Sequence, residues 1–154
     1  KRERIIIVGF SDNVFFSFPD PIPPEKRLKL TDILESNVDS KYYVKDNIRQ
    51  SRLMRLKDPN YPKPYISHEN IAGSITPHHY SSCLRAGASA NYILVNDERR
   101  PTEREMLRLQ GFPEDYKIVV SYSQIKHQCG NSVAVPMIKA VATEMIKAMA
   151  LYYS

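Results

Sequence analysis

A chain of 154 residues has the size of one ordinary domain and is long enough to bury a hydrophobic core. Hydrophobic residues make up 42% of it and charged residues 25%, as in globular proteins, and no apolar run is long enough to span a membrane. The formal net charge of +5 favours a polyanionic partner, and two cysteines argue against a disulfide framework.

The first part of the chain predicts short strands joined by irregular segments. Residues 5–8 form a continuous apolar run ended by Gly9, which predicts a strand buried on both faces. Residues 14–18 predict a second strand about a hairpin's distance away, and the prolines that follow indicate an irregular connection. Thr31 is a residue type that caps helices, so we expect it to start a short one.

The middle of the chain is polar and basic. Arg49, Arg52 and Arg55 recur at three-residue spacing, which places them on one side of a predicted helix. Charge runs of this kind most often form a solvated face, and contact with phosphates is the alternative. Residues 71–90 are rich in Gly, Ser, His and Ala and predict a loop region.

The next segment carries a strand and a helix with clear boundary signals. Residues 92–95 predict another short strand. Thr102 followed by Glu105 is a capping box, and Gly111 lies where a helix is expected to stop. The sequence therefore predicts a helix over residues 103–110.

A final, long helix is predicted to start just after Asn131 and Ser132 and to continue towards Met149. A helix N-terminus offers unpaired N–H groups to a polar or anionic ligand group. From spacing alone, simple capping of the helix by Asn131 or Ser132 is the preferred explanation of the pattern. The predicted final helix has an apolar stripe at helical spacing, which consists of Val135, Ile138, Val141, Ala142, Met145, Ile146 and Met149.

Three segments carry a resemblance to a known family. Residues 1–4 read Lys-Arg-Glu-Arg, residues 99–113 hold Arg-Arg-Pro-Thr-Glu-Arg-Glu and then Gln-Gly-Phe-Pro, and residues 128–133 read Gln-Cys-Gly-Asn-Ser-Val. In this order they resemble the eighth, ninth and tenth motifs of the DNA (cytosine-5)-methyltransferases, most closely those of bacterial restriction–modification systems. The resemblance implies a mixed α+β fold, with short strands in a target-recognition domain and a C-terminal helix belonging to a class I methyltransferase α/β core.

The same resemblance implies three regions. Residues 1–18 are expected to be end strands of the catalytic core, and residues 19–122 the target-recognition domain with the ninth motif. Residues 123–154 are expected to be a C-terminal helical segment that completes the cofactor side of the core.

Roles for individual residues are also implied by the resemblance. Arg4 is expected to hold a cytosine flipped out of the duplex, with Arg2 in support because alternate residues of a strand point the same way. The cofactor implied is S-adenosylmethionine, bordered by Asn131, Ser132 and Val133. Supporting or scaffold roles are implied for Gln128, Gly130, Arg99, Arg104 and Glu105. The candidates for base or phosphate contact are Thr76, Ser81, Ser82 and Arg85.

Other features point to what this chain lacks. His68, His78 and His79 have no Cys or carboxylate partner at ligand spacing, so no metal site is predicted. Cys83 and Cys129 lack the Pro-Cys context of the family nucleophile, and no Gly-rich cofactor loop is present. We therefore expect a fragment or split subunit that is inactive alone.

The partners implied are double-stranded DNA and an N-terminal catalytic half, in the bacterial cytoplasm and associated with the nucleoid through DNA. In the reaction that the resemblance implies, a cysteine outside this chain attacks the cytosine ring, the activated carbon accepts a methyl group, and a base removes the proton. The alternatives are a DNA-binding module without activity and a tRNA cytosine-5 methyltransferase of the same family.

Overall fold

The computed structural model describes residues 4–153, and it has the mixed α+β architecture expected from the sequence. A small antiparallel sheet is surrounded by helices of very different length. The elements are α1 (Leu30–Ile33), α2 (Asp46–Arg55), β1 (Ile66–Glu69), β2 (Ile75–His78), β3 (Ile93–Val95), α3 (Glu103–Leu109), α4 (Tyr122–Asn131) and α5 (Val135–Tyr152), with single 3-10 turns at Pro24–Lys26 and Ser40–Tyr42.

The sheet has the strand order β2-β1-β3, with β1 paired antiparallel to both neighbours. The predicted strand at residues 92–95 is confirmed as β3, whereas β1 was not predicted and β2 lies in the segment expected to be a loop. In the register, Ile66 faces His78 and His68 faces Thr76. Residues directly opposite one another project from the same face of a sheet, so His68, Thr76 and His78 share a face.

Hydrophobic residues from the sheet, the adjoining loop and the helices form one core. Helices α3 and α4 pack on each other and against this sheet. The core comprises Leu30, Ile66, Leu84, Tyr92, Ile93, Val95, Met106, Leu107, Ile125 and Cys129.

The predicted N-terminal strands are not formed within the described part of this chain. Residues 5–8 and 14–18 are assigned to no strand, and the side chains of Ile5 and Ile7 are 91% and 89% exposed. The physical reason is that no described strand pairs with them, so the apolar run has nothing to bury against. Thr31 does not cap α1 as expected, because α1 begins at Leu30 and its N-cap residue is Lys29. The backbone N–H of Lys29 donates a hydrogen bond to the Asp32 carboxylate.

The three arginines on α2 differ in exposure: the side chains of Arg49 and Arg55 are 45% and 40% exposed, as expected of a solvated face, whereas Arg52 is not. The helix itself is confirmed, but Arg52 is buried and donates to the carboxylate of Asp97 at 2.8 Å and to the hydroxyl of Ser67 at 2.7 Å. Arg55 pairs with Glu69, which Arg52 also contacts. A buried guanidinium needs such partners, because an unpaired charge in the interior is strongly disfavoured. Arg52 and Arg55 therefore link α2 to the strand region.

The capping box that predicted α3 is present. The hydroxyl of Thr102 accepts from the Glu105 N–H at 3.1 Å, and the Glu105 carboxylate accepts from the Thr102 N–H at 2.9 Å. Gly111 follows the helix at φ 76°, a conformation that favours glycine. Glu105 is fully buried and also accepts two hydrogen bonds from Arg99, at 2.8 and 2.7 Å. The ninth-motif segment is thus held by an ion pair inside the fold.

The predicted long C-terminal helix is confirmed as α5, and a second helix, α4, which was not predicted, precedes it. Gly130 and Asn131 end α4, Ser132 is its C-cap, and Ala134 is the N-cap of α5. Along α5 only Val141 is fully buried, so most of the predicted apolar stripe lies uncovered. No helix within residues 4–153 is both long and apolar enough to cross a membrane.

Candidate functional site

Two cavities meet at one loop of this fold. The first, which we call the Arg4 cavity, has a volume of about 500 Å³ and brings the beginning of the chain next to the turn between α4 and α5. It collects several residues that the sequence had placed in separate motifs; Arg2 lies outside the described residues. Its lining residues are Arg4, Ser81, Ser82, Cys83, Leu84, Leu109, Gln110, Ser132, Val133, Ala134 and Met137.

The second cavity, which we call the Arg85 cavity, has a volume of about 950 Å³. It shares residues 81–84 with the Arg4 cavity, and we call this segment the shared wall. Its lining combines the recognition region with the end of α4. The lining residues are His68, His78, Tyr80, Ser81, Ser82, Cys83, Leu84, Arg85, Ala86, Gly130 and Asn131.

Arg4 and Arg85 differ from the other arginines of residues 4–153. The side chains of both lack a hydrogen bond or ion pair in this part of the chain, and both are exposed. Every other described arginine pairs with a carboxylate or donates to a carbonyl oxygen. Each of the two free cations lines one of the adjoining cavities, so both remain available to an anionic or polar ligand.

The shared wall contains a hydroxyl group without a partner. The oxygen of Ser82 is buried and makes no hydrogen bond within residues 4–153, while Ser81 donates to the backbone carbonyl of Ser82 at 2.8 Å. Buried polar groups in folded proteins are nearly always hydrogen-bonded. Because Ser82 lines both cavities, a ligand in either one is the natural source of the missing bond.

The backbone of residues 85–86, which directly follows the shared wall, lies very close to α4 at Gly130. A Cβ atom built on Gly130 would lie 2.6 Å from Cα of Ala86 and 2.7 Å from the carbonyl carbon of Arg85. Only a residue without a side chain fits there, since real Cβ atoms do not approach backbone so closely. The absence of a side chain at Gly130 thus allows the backbone of Arg85 and Ala86 to pack directly on α4.

The tenth-motif residues do not sit at a helix N-terminus, contrary to expectation. The first N–H of α5, that of Val135, already donates to the carbonyl of Gln110 at 2.8 Å, and α5 has no side-chain cap. The hydroxyl of Ser132 donates to the Cys129 carbonyl at 2.9 Å. An anion site made of free helix N–H groups is therefore absent at this turn, and neither Asn131 nor Ser132 caps α5.

The residues implied for the cofactor are distributed over both cavities. Ser132 and Val133 line the Arg4 cavity, whereas Asn131 lines the Arg85 cavity. Gln128 is exposed and lines neither of them. Arg104 is partly buried and donates to the Tyr116 carbonyl at 2.9 Å, away from both cavities.

Two of the three histidines for which no metal site was predicted, His68 and His78, line the Arg85 cavity together with Ser81, Ser82 and Arg85, whereas His79 does not. Burial, with Arg85 and His78 next in effect, lowers the pKa of His68 below its ordinary value. Thr76 shares their sheet face but lines neither cavity. Only the pairing of β1 with β2 brings His68 and His78 together, so one-dimensional spacing gave no signal for them.

The two cysteines differ in accessibility. Cys129 is buried in the core, and burial raises the pKa of its thiol to about 11. The thiol therefore stays protonated at neutral pH and is unreactive, because the thiolate is the reactive form. Cys83 is half-buried in the shared wall. Within residues 4–153, no three His, Cys, Asp or Glu residues are grouped to hold a metal ion.

Comparison with known proteins identifies the family. The family model described as C-5 cytosine-specific DNA methylase matches residues 1–147. The chain belongs to this family. It is 51% identical over 142 residues to the type II methyltransferase M.NgoBI of Neisseria gonorrhoeae and 47% identical over 152 residues to M.HaeII of Haemophilus aegyptius. These matches cover 91% and 97% of this chain.

This C-5 cytosine methylase chain spans less than half of the curated relatives it matches, 44% of M.NgoBI and 46% of M.HaeII, in their C-terminal portions. Among solved structures, the Schizosaccharomyces pombe Dnmt2 methyltransferase superimposes with a TM-score of 0.52 over 80% of this chain and 43% of its own, at 18% identity. That likeness supports the methyltransferase fold of this region.

Proposed function

We propose that this chain is the C-terminal part of a type II DNA (cytosine-5)-methyltransferase, which transfers a methyl group from S-adenosylmethionine to a flipped cytosine in a specific DNA sequence. The observation that carries the proposal is the Arg4 cavity, which joins residues of the eighth and tenth motifs to the recognition segment. The names of the family and of its type II relatives favour DNA over RNA as substrate.

In this proposal, Arg4 holds the flipped base. Its guanidinium has no competing partner within residues 4–153, so its donors are available to acceptor atoms of a cytosine ring. A base must leave the duplex stack before its ring can be attacked, and groups that grip the extruded base stabilise that state. Neither cysteine of this chain has a proposed role in the attack, so the nucleophile comes from the N-terminal half.

The residues present suit one side of a cofactor pocket. Ser132 and Val133 border the Arg4 cavity. A cavity of about 500 Å³ lies within the usual range for small-molecule sites. S-adenosylmethionine, when bound, supplies the methyl group. We retain Asn131 in this segment because it adjoins Ser132, although it lines the neighbouring cavity.

An N-terminal catalytic half is the proposed partner of the uncovered apolar surfaces. Ile5 and Ile7 are almost fully exposed in an extended segment without strand partners, and Ile146 of α5 is 68% exposed. Exposed apolar groups collected on one part of a protein usually mark an interface. We propose that residues 1–18 pair with the sheet of the catalytic core, that residues 19–122 are the recognition domain, and that residues 123–154 complete the cofactor side.

The first test compares methyl transfer by this chain alone with transfer by the chain mixed with its proposed N-terminal partner. The purified chain is expected to transfer no labelled methyl group to DNA, because it lacks a Pro-Cys nucleophile motif and a Gly-rich cofactor loop. Mixing it with the N-terminal half and labelled S-adenosylmethionine should restore transfer. Transfer by the chain alone would contradict the assignment of the chemistry to the other half.

The second test concerns Arg4 in the reconstituted enzyme. Arg4→Ala is expected to slow single-turnover methyl transfer more than it weakens DNA binding. The reason is that the contacts of Arg4 with the flipped base stabilise the transition state of the attack more than they stabilise the bound ground state. Single-turnover rates and DNA affinities of the two proteins provide the comparison. An unchanged rate with weakened binding would make Arg4 a phosphate anchor.

A further inference from the structure

The Arg85 cavity has the chemistry of an anion site. None of the described residues that line it is Asp or Glu, and Arg85 has no ion pair within residues 4–153. The imidazoles of His68 and His78 line it as well. A guanidinium that faces a cavity without a carboxylate produces a field that attracts negative charge, and the imidazoles add hydrogen-bonding groups.

The shape of the site favours the DNA backbone over the base edges. Base edges lie within the grooves of the duplex, where they are reached by side chains that protrude from a protein. The sugar-phosphate backbone is the part of the duplex that projects outward, so it can enter a concave site. In addition, the Ser82 hydroxyl is a donor without an acceptor, and hydroxyl groups commonly donate to phosphate oxygens.

The Arg85 cavity lies next to the Arg4 cavity, and this position indicates which part of the DNA it would bind. The shared wall separates it from the Arg4 cavity, where the proposed function places the flipped cytosine. A nucleotide that leaves the stack remains attached to a phosphate on each side, and the strand must continue past the wall. Binding the neighbouring phosphate would hold the strand while the base is turned into the Arg4 cavity.

We propose, as an extension of the function above, that the Arg85 cavity binds a backbone phosphate of the DNA strand carrying the target cytosine. Arg85 supplies the charge, and Ser82 and His78 donate hydrogen bonds. The site therefore contributes affinity and positioning but does not select a base. This assigns His78 and Ser82 to the same ligand as Arg85.

Two substitutions of Arg85 separate phosphate binding from base reading. The enzyme reconstituted from this chain and the N-terminal half is titrated with a fluorescent duplex pool, randomised around a central cytosine, at several salt concentrations. Arg85→Ala should reduce the slope of log affinity against log salt by about one unit, as expected for the loss of one phosphate contact. Arg85→Lys should keep most of the slope, because a lysine serves as a point charge for phosphate but cannot form a bidentate contact with guanine.

The same pool provides the sequence readout. After selection of the bound DNA and sequencing, Arg85→Ala and wild type should enrich the same sequences. Arg49→Ala is the matched control, because it removes an equal charge from a guanidinium that already lies 3.6 Å from the Glu98 carboxylate. Its salt slope should equal that of wild type. Ser82→Ala should weaken binding without changing the slope, because the hydroxyl group is neutral.

Two results would overturn the inference. One is a changed base preference in Arg85→Ala that Arg85→Lys fails to restore, which is the behaviour of a base-reading arginine. The other is an unchanged salt slope in Arg85→Ala. Because binding is measured apart from methyl transfer, a wild type that binds DNA but transfers no methyl group would contradict the proposed function alone. A wild type that binds no DNA would overturn both.

Discussion

Substitution of Gly130 by alanine tests the packing that joins the two cavities. Gly130 lies in the last turn of α4, and alanine is favoured over glycine within helices by about 1 kcal/mol. The added Cβ, however, would lie 2.6 Å from Cα of Ala86 and 2.7 Å from the carbonyl carbon of Arg85. Both neighbours are backbone atoms, which cannot turn aside as the end of a flexible side chain can. Helix α4 and the backbone of residues 85–86, which follow the shared wall, must therefore move apart.

The clash should outweigh the gain in helix propensity. Overpacking of a well-packed site typically costs about 1–3 kcal/mol, and a backbone clash this close belongs at the upper end. Subtracting about 1 kcal/mol for helix propensity leaves a net loss of about 2 kcal/mol. For a domain of this size, that loss lowers Tm by about 4–8 °C.

Urea denaturation and thermal unfolding of wild type and Gly130→Ala provide the measurement. Gly87→Ala is the control, because a Cβ at Gly87 meets nothing within 4 Å and its backbone φ is not in the left-handed range. The control should be neutral or slightly stabilised by the loss of chain entropy in the unfolded state. DNA affinity should fall only in Gly130→Ala, since Arg85 moves with the wall. A Gly130→Ala protein as stable as wild type would refute this reasoning.

Two further predictions concern the buried ion pair and the two thiols. Glu105→Ala should lower the free energy of unfolding by about 3–5 kcal/mol in urea denaturation, because Arg99 would be left buried without its carboxylate; a loss below 1 kcal/mol would contradict a stabilising role for the pair. Iodoacetamide at pH 8 should alkylate Cys83 and spare Cys129 in the native protein, because burial raises the pKa of the Cys129 thiol to about 11. Peptide mass spectrometry reads the two sites separately, and equal modification would refute the difference in accessibility.

Elements defined by neighbouring residues were predictable from the sequence. Thr102 and Glu105 are three residues apart, so the capping box that starts α3 could be read directly, and its helix is present. The family was also readable, because its motifs are short contiguous segments, and the family model confirms it. The long helix α5 was predicted, but its caps were not: the side chains of Asn131 and Ser132 are typical of N-caps, whereas Asn131 belongs to α4, Ser132 is the C-cap of α4, and Ala134 is the N-cap of α5.

What the sequence by itself determined was therefore local structure, the family, and a set of candidate residues. The tertiary structure decided which of them are available to a ligand. Arg52 pairs with Asp97, which is 45 positions away in the sequence, so its charge is already neutralised inside the fold. Among the described residues 4–153, the side chains of Arg4 and Arg85 have no pairing partner, and they lie beside two cavities with a common wall. The physical reason is that helix capping depends on neighbours in sequence, whereas pairing and burial of a charge depend on which distant segments the fold brings together.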